Sequence, residues 1–129
     1  MSVFDDVPAG SRLYEDGHFF IIRDGYPVSP GHLLIVSKRA AVTFFDLNDR
    51  ERAALPAAIQ EAKRLIEEQH ALNPAPIPKP AGYNIGMNCG EAAGQTVMHF
   101  HCHVIPRYYG DTPNPRGGVR HCIPGRGVY

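Results

Sequence analysis

The chain has 129 residues, of which 43% are hydrophobic and 20% charged, the proportions of a soluble globular protein with one domain. Thirteen basic residues balance thirteen acidic ones, which excludes a global field that attracts nucleic acid or an acidic membrane surface. The apolar runs are too short to span a bilayer, the first ten residues lack a secretion signal, and the three cysteines have no close pair. We therefore expect a reduced, cytoplasmic protein without a disulfide framework.

Two short runs rich in β-branched and aromatic residues come first in the chain, at residues 18–24 and 32–36. The segment between them, GYPVSPG, contains two glycines and two prolines, which mark a turn. The pattern predicts a β-hairpin whose connection is somewhat longer than the minimum.

A helix is predicted over residues 46–70. Asn48 followed by Glu51 fits a capping box at its start. Pro56 conflicts with one long helix, because a proline in a helix interior costs ~3 kcal/mol. Two alternatives remain: the helix kinks at Pro56, or it begins at Leu55 with the proline in its first turn. The apolar residues at helical spacing are Ala54, Leu55, Ala58, Ala62, Leu65 and Ile66.

Two further strands are predicted at residues 82–88 and 95–105, after a stiff proline-rich connector, NPAPIPKPAG. Beyond Arg107 glycine and proline are frequent, which favours an irregular tail. Strands that bracket one helix, with short links between paired strands, are typical of an α+β fold. We expect an antiparallel sheet of about five strands, one main helix and an irregular C-terminal tail.

Three histidines alternate within the last predicted strand, at His99, His101 and His103. Side chains of a strand alternate between its two faces, so these rings are predicted to share one face, about 6.6–6.8 Å apart for each pair of residues. The other face is predicted to lie in the core. It carries Met98, Phe100, Cys102 and Val104.

Three interpretations of the histidine row compete. The rings are tolerated on the wet face of a sheet, they bind a metal, or they perform nucleophilic catalysis at phosphorus. A metal site needs further ligands, and the candidates show no paired spacing. They are Cys89, Cys122, His32 and His121.

Catalysis at phosphorus has local support. A neutral imidazole attacks phosphorus well, and the loop NCGEAAGQT before the histidines offers backbone N–H groups for a phosphate. The side chains of Asn88, Gln95 and Thr96 are predicted to line the same phosphate site.

The segment QTVMHFHCHVIPR, with NCGEAAG before it and PVSPGHLLIVSK further back, resembles the histidine triad (HIT) family of nucleotide hydrolases and transferases. GQTV before the triad and IPR after it are most similar to the branch of fragile-histidine-triad-like dinucleoside polyphosphate hydrolases. The resemblance covers about residues 13–107 and implies a HIT-like antiparallel sheet with a helix, joined edge to edge in a homodimer. Residues 1–129 are then a single nucleotide-binding domain, in which residues 108–129 form a basic C-terminal extension.

The resemblance also implies roles for individual residues. His101 matches the family nucleophile, and His99 and His103 match the flanking histidines that complete the catalytic set. No cofactor is expected, and no metal either, because the paired N-terminal cysteines of zinc-binding members are missing. The positions implied for substrate binding are Asp24 for the ribose, His32 beside the triad, Asn88, Gln95 and Thr96 for the phosphates, and Ile22 and Leu34 for the base.

The implied activity is cleavage at the α-phosphate of dinucleoside polyphosphates such as diadenosine tetraphosphate, through a nucleotidyl-histidine intermediate. The alternatives are an adenosine 5′-monophosphoramidase and a non-catalytic nucleotide-binding regulator. Arginine matches phosphate geometry, so the arginines near the end of the chain favour a polyphosphate. They are Arg107, Arg116, Arg120 and Arg126.

Overall fold

In a computed structural model, which describes residues 2–75 and 78–129, five strands form one antiparallel sheet and one long helix lies against it. The helix, α1, is Asp49–Leu72. The strands are β1 Tyr14–Glu15, β2 Phe19–Arg23, β3 Leu33–Ser37, β4 Gly82–Gly86 and β5 His101–Arg107. Their order across the sheet is β1-β2-β3-β5-β4, which confirms the predicted α+β fold.

The predicted hairpin is confirmed. Strands β2 and β3 pair antiparallel, each within one residue of its predicted bounds. Their connection turns at Gly31, whose φ of +92° lies in the left-handed region that favours glycine. The hydroxyl of Ser29 donates to the backbone carbonyl of Pro106 at 2.7 Å, which ties the connection to β5.

Helix α1 begins where the capping box predicts. Asn48 accepts from the backbone N–H of Glu51, whose carboxylate accepts from the backbone N–H of Asn48. The helix continues through Pro56, so the predicted alternative start at Leu55 is wrong. Within the described ranges, 2–75 and 78–129, no helix has the length and apolarity needed to cross a bilayer. Two residues of the predicted proline-rich connector, Pro76 and Ile77, lie outside these ranges.

The two faces of the sheet carry different clusters. Helix α1 covers one face of the sheet, and the main hydrophobic core lies between α1 and that face. A smaller apolar cluster lies on the opposite face, beneath a 3₁₀ turn at Val3–Asp6 that the sequence did not predict. Its members are Phe4, Phe20, Leu34 and Val36.

Strand β5 begins at His101, so the predicted start near Gln95 is wrong. The Gln95 side chain is buried and donates to the carbonyls of Val42 and Val97, which bends residues 95–99 out of the sheet. As a result Met98, predicted for the core, is 46% exposed. The other three residues predicted on its face are buried.

The C-terminal tail contains a 3₁₀ turn, Gly118–Cys122, that lies against β4. Gly117 before this turn has a φ of +97° and lies so close to Gly127 that a Cβ would come within 2.0 Å of the Gly127 carbonyl oxygen. Only glycine fits both the backbone conformation and the space. The predicted boundary of the extension at residue 108 stays a prediction.

Replacing Pro56 by alanine is expected to stabilise the protein. Pro56 is exposed and has no N–H to donate to the carbonyl of Arg52, and alanine restores that donor. We expect the free energy of unfolding to rise by about 1–3 kcal/mol in urea titrations. Gln60→Ala, at another exposed position of α1, is the control and should change it by less. An unchanged or lower stability of Pro56→Ala would contradict the prediction.

Candidate active site

Two histidines of the row lie on the sheet face opposite α1. His101 is the cross-strand partner of Val36, and His103 is the partner of Leu34. Directly opposed residues share a face, so both rings lie on the side of the sheet that carries the smaller apolar cluster. The two ring centroids are 5.4 Å apart, and both rings are partly exposed.

A backbone carbonyl decides which nitrogen of His101 carries hydrogen. Nδ1 of His101 lies 2.8 Å from the carbonyl oxygen of His99. A carbonyl only accepts, so Nδ1 carries the hydrogen and donates it. In the neutral ring Nε2 is then left with a free lone pair, which is what a nucleophile requires.

A second backbone group orders His32 and His103. The backbone N–H of Val28 donates to Nδ1 of His32 at 3.2 Å, so the hydrogen of neutral His32 lies on Nε2. That nitrogen lies 2.9 Å from Nδ1 of His103, which accepts. Neutral His103 therefore carries its own hydrogen on Nε2. His101 thus offers a lone pair, and His103 beside it offers an N–H.

The carboxylate of Asp24 lies beside this pair of histidines. Its Oδ2 lies 3.2 Å from Nε2 of His32 and 3.7 Å from Nδ1 of His103. Its Oδ1 accepts from the backbone N–H of Tyr26 at 2.8 Å, which orients the carboxylate. The structure thus brings together Asp24, His32 and His103, three of the residues singled out in the sequence.

The surroundings favour the neutral form of both rings. Burial lowers the pKa of His32 and His103 below the ordinary histidine value, and Asp24 opposes the shift in both. For His103 the neighbouring histidines lower the pKa further. Because the unfolded chain takes up protons first, the stability that these neutral rings contribute is lost as the pH falls below about 6.5.

The same three side chains raise the metal interpretation again. Their donor atoms lie within 4.8 Å of one another. A zinc ion needs a lone pair from each imidazole. The N–H of Val28 already occupies the Nδ1 lone pair of His32, so Nε2 of that ring keeps its hydrogen and offers none. A hydrogen bond accounts for the distance between His32 and His103, and the expected absence of a metal stays a prediction.

His99 differs from the other two histidines of the row. It precedes β5, its ring is only 2% exposed, and it therefore does not line a wet face as the alternation predicts. Nε2 of His99 lies 2.7 Å from the carbonyl oxygen of Ser37, and Nδ1 lies 2.7 Å from Oγ of Ser2. Both ring nitrogens are thus engaged within the protein.

The residues predicted to bind phosphate lie in two environments. Asn88 and Thr96 are exposed on the loop that precedes the histidines. The Gln95 amide instead bonds to three backbone groups, because its carbonyl oxygen also accepts from the N–H of Gly90 at 2.8 Å. Asn88 and Thr96 are therefore free to face a ligand, whereas both N–H groups of Gln95 shape the loop. Their predicted contacts with phosphate stay predictions.

The residues predicted for the base pocket, Ile22 and Leu34, are cross-strand partners on the histidine face. An open cavity of about 420 Å³ lies beside Ile22, and Val7 and Pro8 of the N-terminal segment line it. Sequence reasoning missed this segment, because the contacts join residues far apart in the chain. The available signals were Phe4, before the first predicted strand, and the capping-box spacing of Ser2 and Asp5.

The arginines of the tail are partly engaged. Arg107 donates from Nε and Nη2 to the carboxylate of Asp111, at 2.8 Å each. Arg116 and Arg120 lie over the ring of Tyr129, at 4.9 and 4.8 Å from its centroid. Contact with an aromatic face leaves the charge of a guanidinium in place, so this end of the molecule stays basic.

A HIT domain family model matches residues 8–110, a span that contains all three histidines of the row. The chain belongs to the HIT domain family. The resemblance to the HIT family that the sequence shows is thereby confirmed. Together with relatives named for AP-4-A and for the fragile histidine triad, membership supports nucleotide hydrolase or transferase activity in the broad sense.

Three relatives show how far the similarity extends. This HIT domain is 40% identical over 87 residues to the AP-4-A phosphorylase of Mycobacterium tuberculosis, across 67% of this chain and 40% of that protein. The crystal structure of NitFhit from Caenorhabditis elegans is 32% identical with a TM-score of 0.71, across 84% of this chain and 24% of that one. A zinc-bound histidine triad protein from Mycobacterium smegmatis is 36% identical with a TM-score of 0.65, across 84% and 73%. The chain thus spans less than half of the phosphorylase and about a quarter of NitFhit.

Replacing Asp24 by asparagine is expected to lower the pKa of His32 and His103 further. The carboxylate favours the charged form of both rings, and its removal withdraws that support. Titration of the imidazole nitrogens by NMR measures both values. Asp49→Asn removes a carboxylate that is 98% exposed at the start of α1, and it should move neither pKa. A rise in either value in Asp24→Asn would contradict the geometry.

Proposed function

We propose that this HIT domain cleaves dinucleoside polyphosphates at an α-phosphorus, through a nucleotidyl group carried by His101. The observation that carries the proposal is the hydrogen bond from Nδ1 of His101 to the carbonyl of His99, which leaves Nε2 free to attack. The N–H that His103 presents beside it is the matching donor.

The first step forms a bond between Nε2 of His101 and phosphorus as the bond from phosphorus to the bridging oxygen breaks. The electron pair of that bond leaves with the nucleoside polyphosphate, and Nε2–H of His103 donates a hydrogen bond to the oxygen that gains charge. The ring of His101 becomes positively charged, and its Nδ1–H remains bonded to the His99 carbonyl. That carbonyl disperses the charge while the nucleotidyl group is attached.

The second step returns the enzyme to its starting state. Water attacks phosphorus, the bond to Nε2 of His101 breaks, and its electron pair returns to the ring while the proton of the water passes to solvent. A difficult displacement is thus divided into two easier ones. Inorganic phosphate in place of water gives transfer instead of hydrolysis.

Three features support nucleotide binding by the same face. The cavity of about 420 Å³ beside Ile22 has the size of a small-ligand site and is a suitable place for the base. Asp24 carries the carboxylate assigned to the ribose, and its Oδ2 lies 3.7 Å from Nδ1 of His103. Asn88 and Thr96 are exposed on the loop assigned to the phosphates.

The proposal extends to the setting of the enzyme, a cytoplasmic homodimer. Strand β4 pairs with β5 on one side, and Ile85 in it is 42% exposed. Pairing of this edge with a second copy satisfies the open backbone groups and covers the apolar side chain.

His101→Ala is expected to lower kcat for diadenosine tetraphosphate by about a thousand-fold or more, because the nucleophile is lost. Nucleotide binding and the unfolding transition should survive. In the unaltered protein, a substrate labelled at the α-phosphorus should leave its label on His101 after a quench shown to preserve phosphohistidine. His121→Ala removes an exposed histidine of the tail and is the control. Label on another residue, or full activity without His101, would refute the assignment.

The substrate class is tested by comparing diadenosine tetraphosphate with an adenosine phosphoramidate. We expect kcat/KM to favour the tetraphosphate by at least about ten-fold, because the basic tail stabilises the polyphosphate that leaves. Raising the salt concentration should reduce this preference, since exposed charges are screened. Preference for the phosphoramidate makes phosphoramidase the function, and binding without turnover of either makes the protein a regulator. Adding inorganic phosphate distinguishes hydrolysis from transfer.

A further inference from the structure

The strongest observation that the proposed chemistry leaves unused is the contact between the N-terminal turn and His99. Oγ of Ser2 lies 2.7 Å from Nδ1 of a histidine that is 97 positions away in sequence and nearly fully buried. The other nitrogen of that ring, Nε2, lies 2.7 Å from the carbonyl oxygen of Ser37. The ring is thus held at both ends.

The directions of these two hydrogen bonds follow from their partners. The Ser37 carbonyl only accepts, so Nε2 of His99 carries hydrogen and, in the neutral ring, Nδ1 carries the lone pair. The hydroxyl of Ser2 must then donate to Nδ1. Oδ1 of Asp5, in the same turn, lies 4.0 Å from Nδ1 of His99.

The serine hydroxyl is itself held in place. Its oxygen accepts from the backbone N–H of Phe4 at 3.2 Å, and the N–H of Ser2 donates to Oδ2 of Asp5 at 2.7 Å. The Phe4 ring is buried in the smaller apolar cluster and anchors the turn to the sheet. The turn therefore delivers one hydroxyl to His99 from a fixed position.

The same turn also contacts the nucleophile. The centroid of the Phe4 ring lies 5.5 Å from that of His99, edge to face, and 5.1 Å from that of His101. His101 in turn donates from Nδ1 to the carbonyl of His99. Whatever orients His99 therefore also places the acceptor that selects the tautomer of His101.

We propose that Ser2 is a positioning residue for His101, acting through His99. Its hydroxyl fixes the His99 ring, the fixed residue holds its own carbonyl in line, and that carbonyl keeps the hydrogen of His101 on Nδ1. Without the hydroxyl, a buried nitrogen loses its donor, and the ring must turn or admit water to replace it. The effect on turnover rests on the proposed function, whereas the effect on the tautomer does not.

The experiment compares Ser2→Ala, Ser2→Thr and the control Val3→Ala in the full chain, with any tag at the C-terminus. Val3 belongs to the same turn, but its side chain is 69% exposed. Nitrogen NMR of the imidazoles without substrate reports the tautomer of His101 and the environment of His99. Steady-state kinetics with diadenosine tetraphosphate give kcat and KM separately.

In Ser2→Ala we expect the Nδ1–H form of His101 to give way to a mixture of tautomers. We expect kcat to fall about ten-fold, with KM within about two-fold of the unaltered protein, as for a small misplacement of a reacting group. Ser2→Thr keeps a hydroxyl and should restore both readouts, and Val3→Ala should leave both unchanged.

Two results would overturn the proposal. One is an unchanged His101 tautomer in Ser2→Ala. The other is an equal change in Val3→Ala, which would assign the effect to the turn as a whole. If the protein turns over no nucleotide, the proposed function fails, but the tautomer still decides the role of Ser2.

Discussion

A neutral imidazole has one N–H and one lone pair, and the site depends on which nitrogen holds which. Backbone groups make that choice at two points. The His99 carbonyl can only accept from Nδ1 of His101, and the Val28 N–H can only donate to Nδ1 of His32. The proposed chemistry depends on these two contacts, because they leave a lone pair on Nε2 of His101 and an N–H on Nε2 of His103. The side chains supply the nitrogens, and the main chain assigns their roles.

This assignment requires that the main chain be rigid, and the sheet provides the rigidity. Strand β5 is held by neighbours on both sides, and α1 covers the face that lacks the histidines. The connection that carries Val28 is tied to β5 through the hydroxyl of Ser29. Burying the large apolar side chains of this core contributes roughly 1.5–3 kcal/mol each before entropy is subtracted. The packed core thus keeps the backbone rigid enough to hold the hydrogen-bond distances on the histidine face.

The sequence predicts what depends on neighbours in the chain. Alternation and a proline-glycine connection predict β2 and β3, and Asn48 with Glu51 predicts the start of α1. The family motif places His101 correctly on its strand. Pro56 misleads, because tertiary packing keeps the helix intact where local propensity favours a break.

The sequence does not predict contacts between distant segments. The bend before β5 comes from the Gln95 amide, whose shortest hydrogen bond, 2.7 Å to the carbonyl of Val42, joins residues 53 positions apart. Alternation alone therefore extends the strand too far and places Met98 inside the core. The burial of His99 depends on Ser2, at the other end of the chain. A periodic pattern within a short stretch of sequence predicts neither the Gln95 contact with Val42 nor the Ser2 contact with His99.

The role of Val28 also bears on how this site tolerates change over evolution. Its side chain is 72% exposed, and its contribution to the histidines is made by the peptide nitrogen alone. Nineteen of the twenty genetically encoded amino acids have that N–H, so most substitutions at position 28 leave the placement of the histidine hydrogens unchanged. Proline is the exception, since it has no amide hydrogen. Position 28 is thus constrained through its backbone N–H and not through its side chain, and proline is the one residue that the contact excludes.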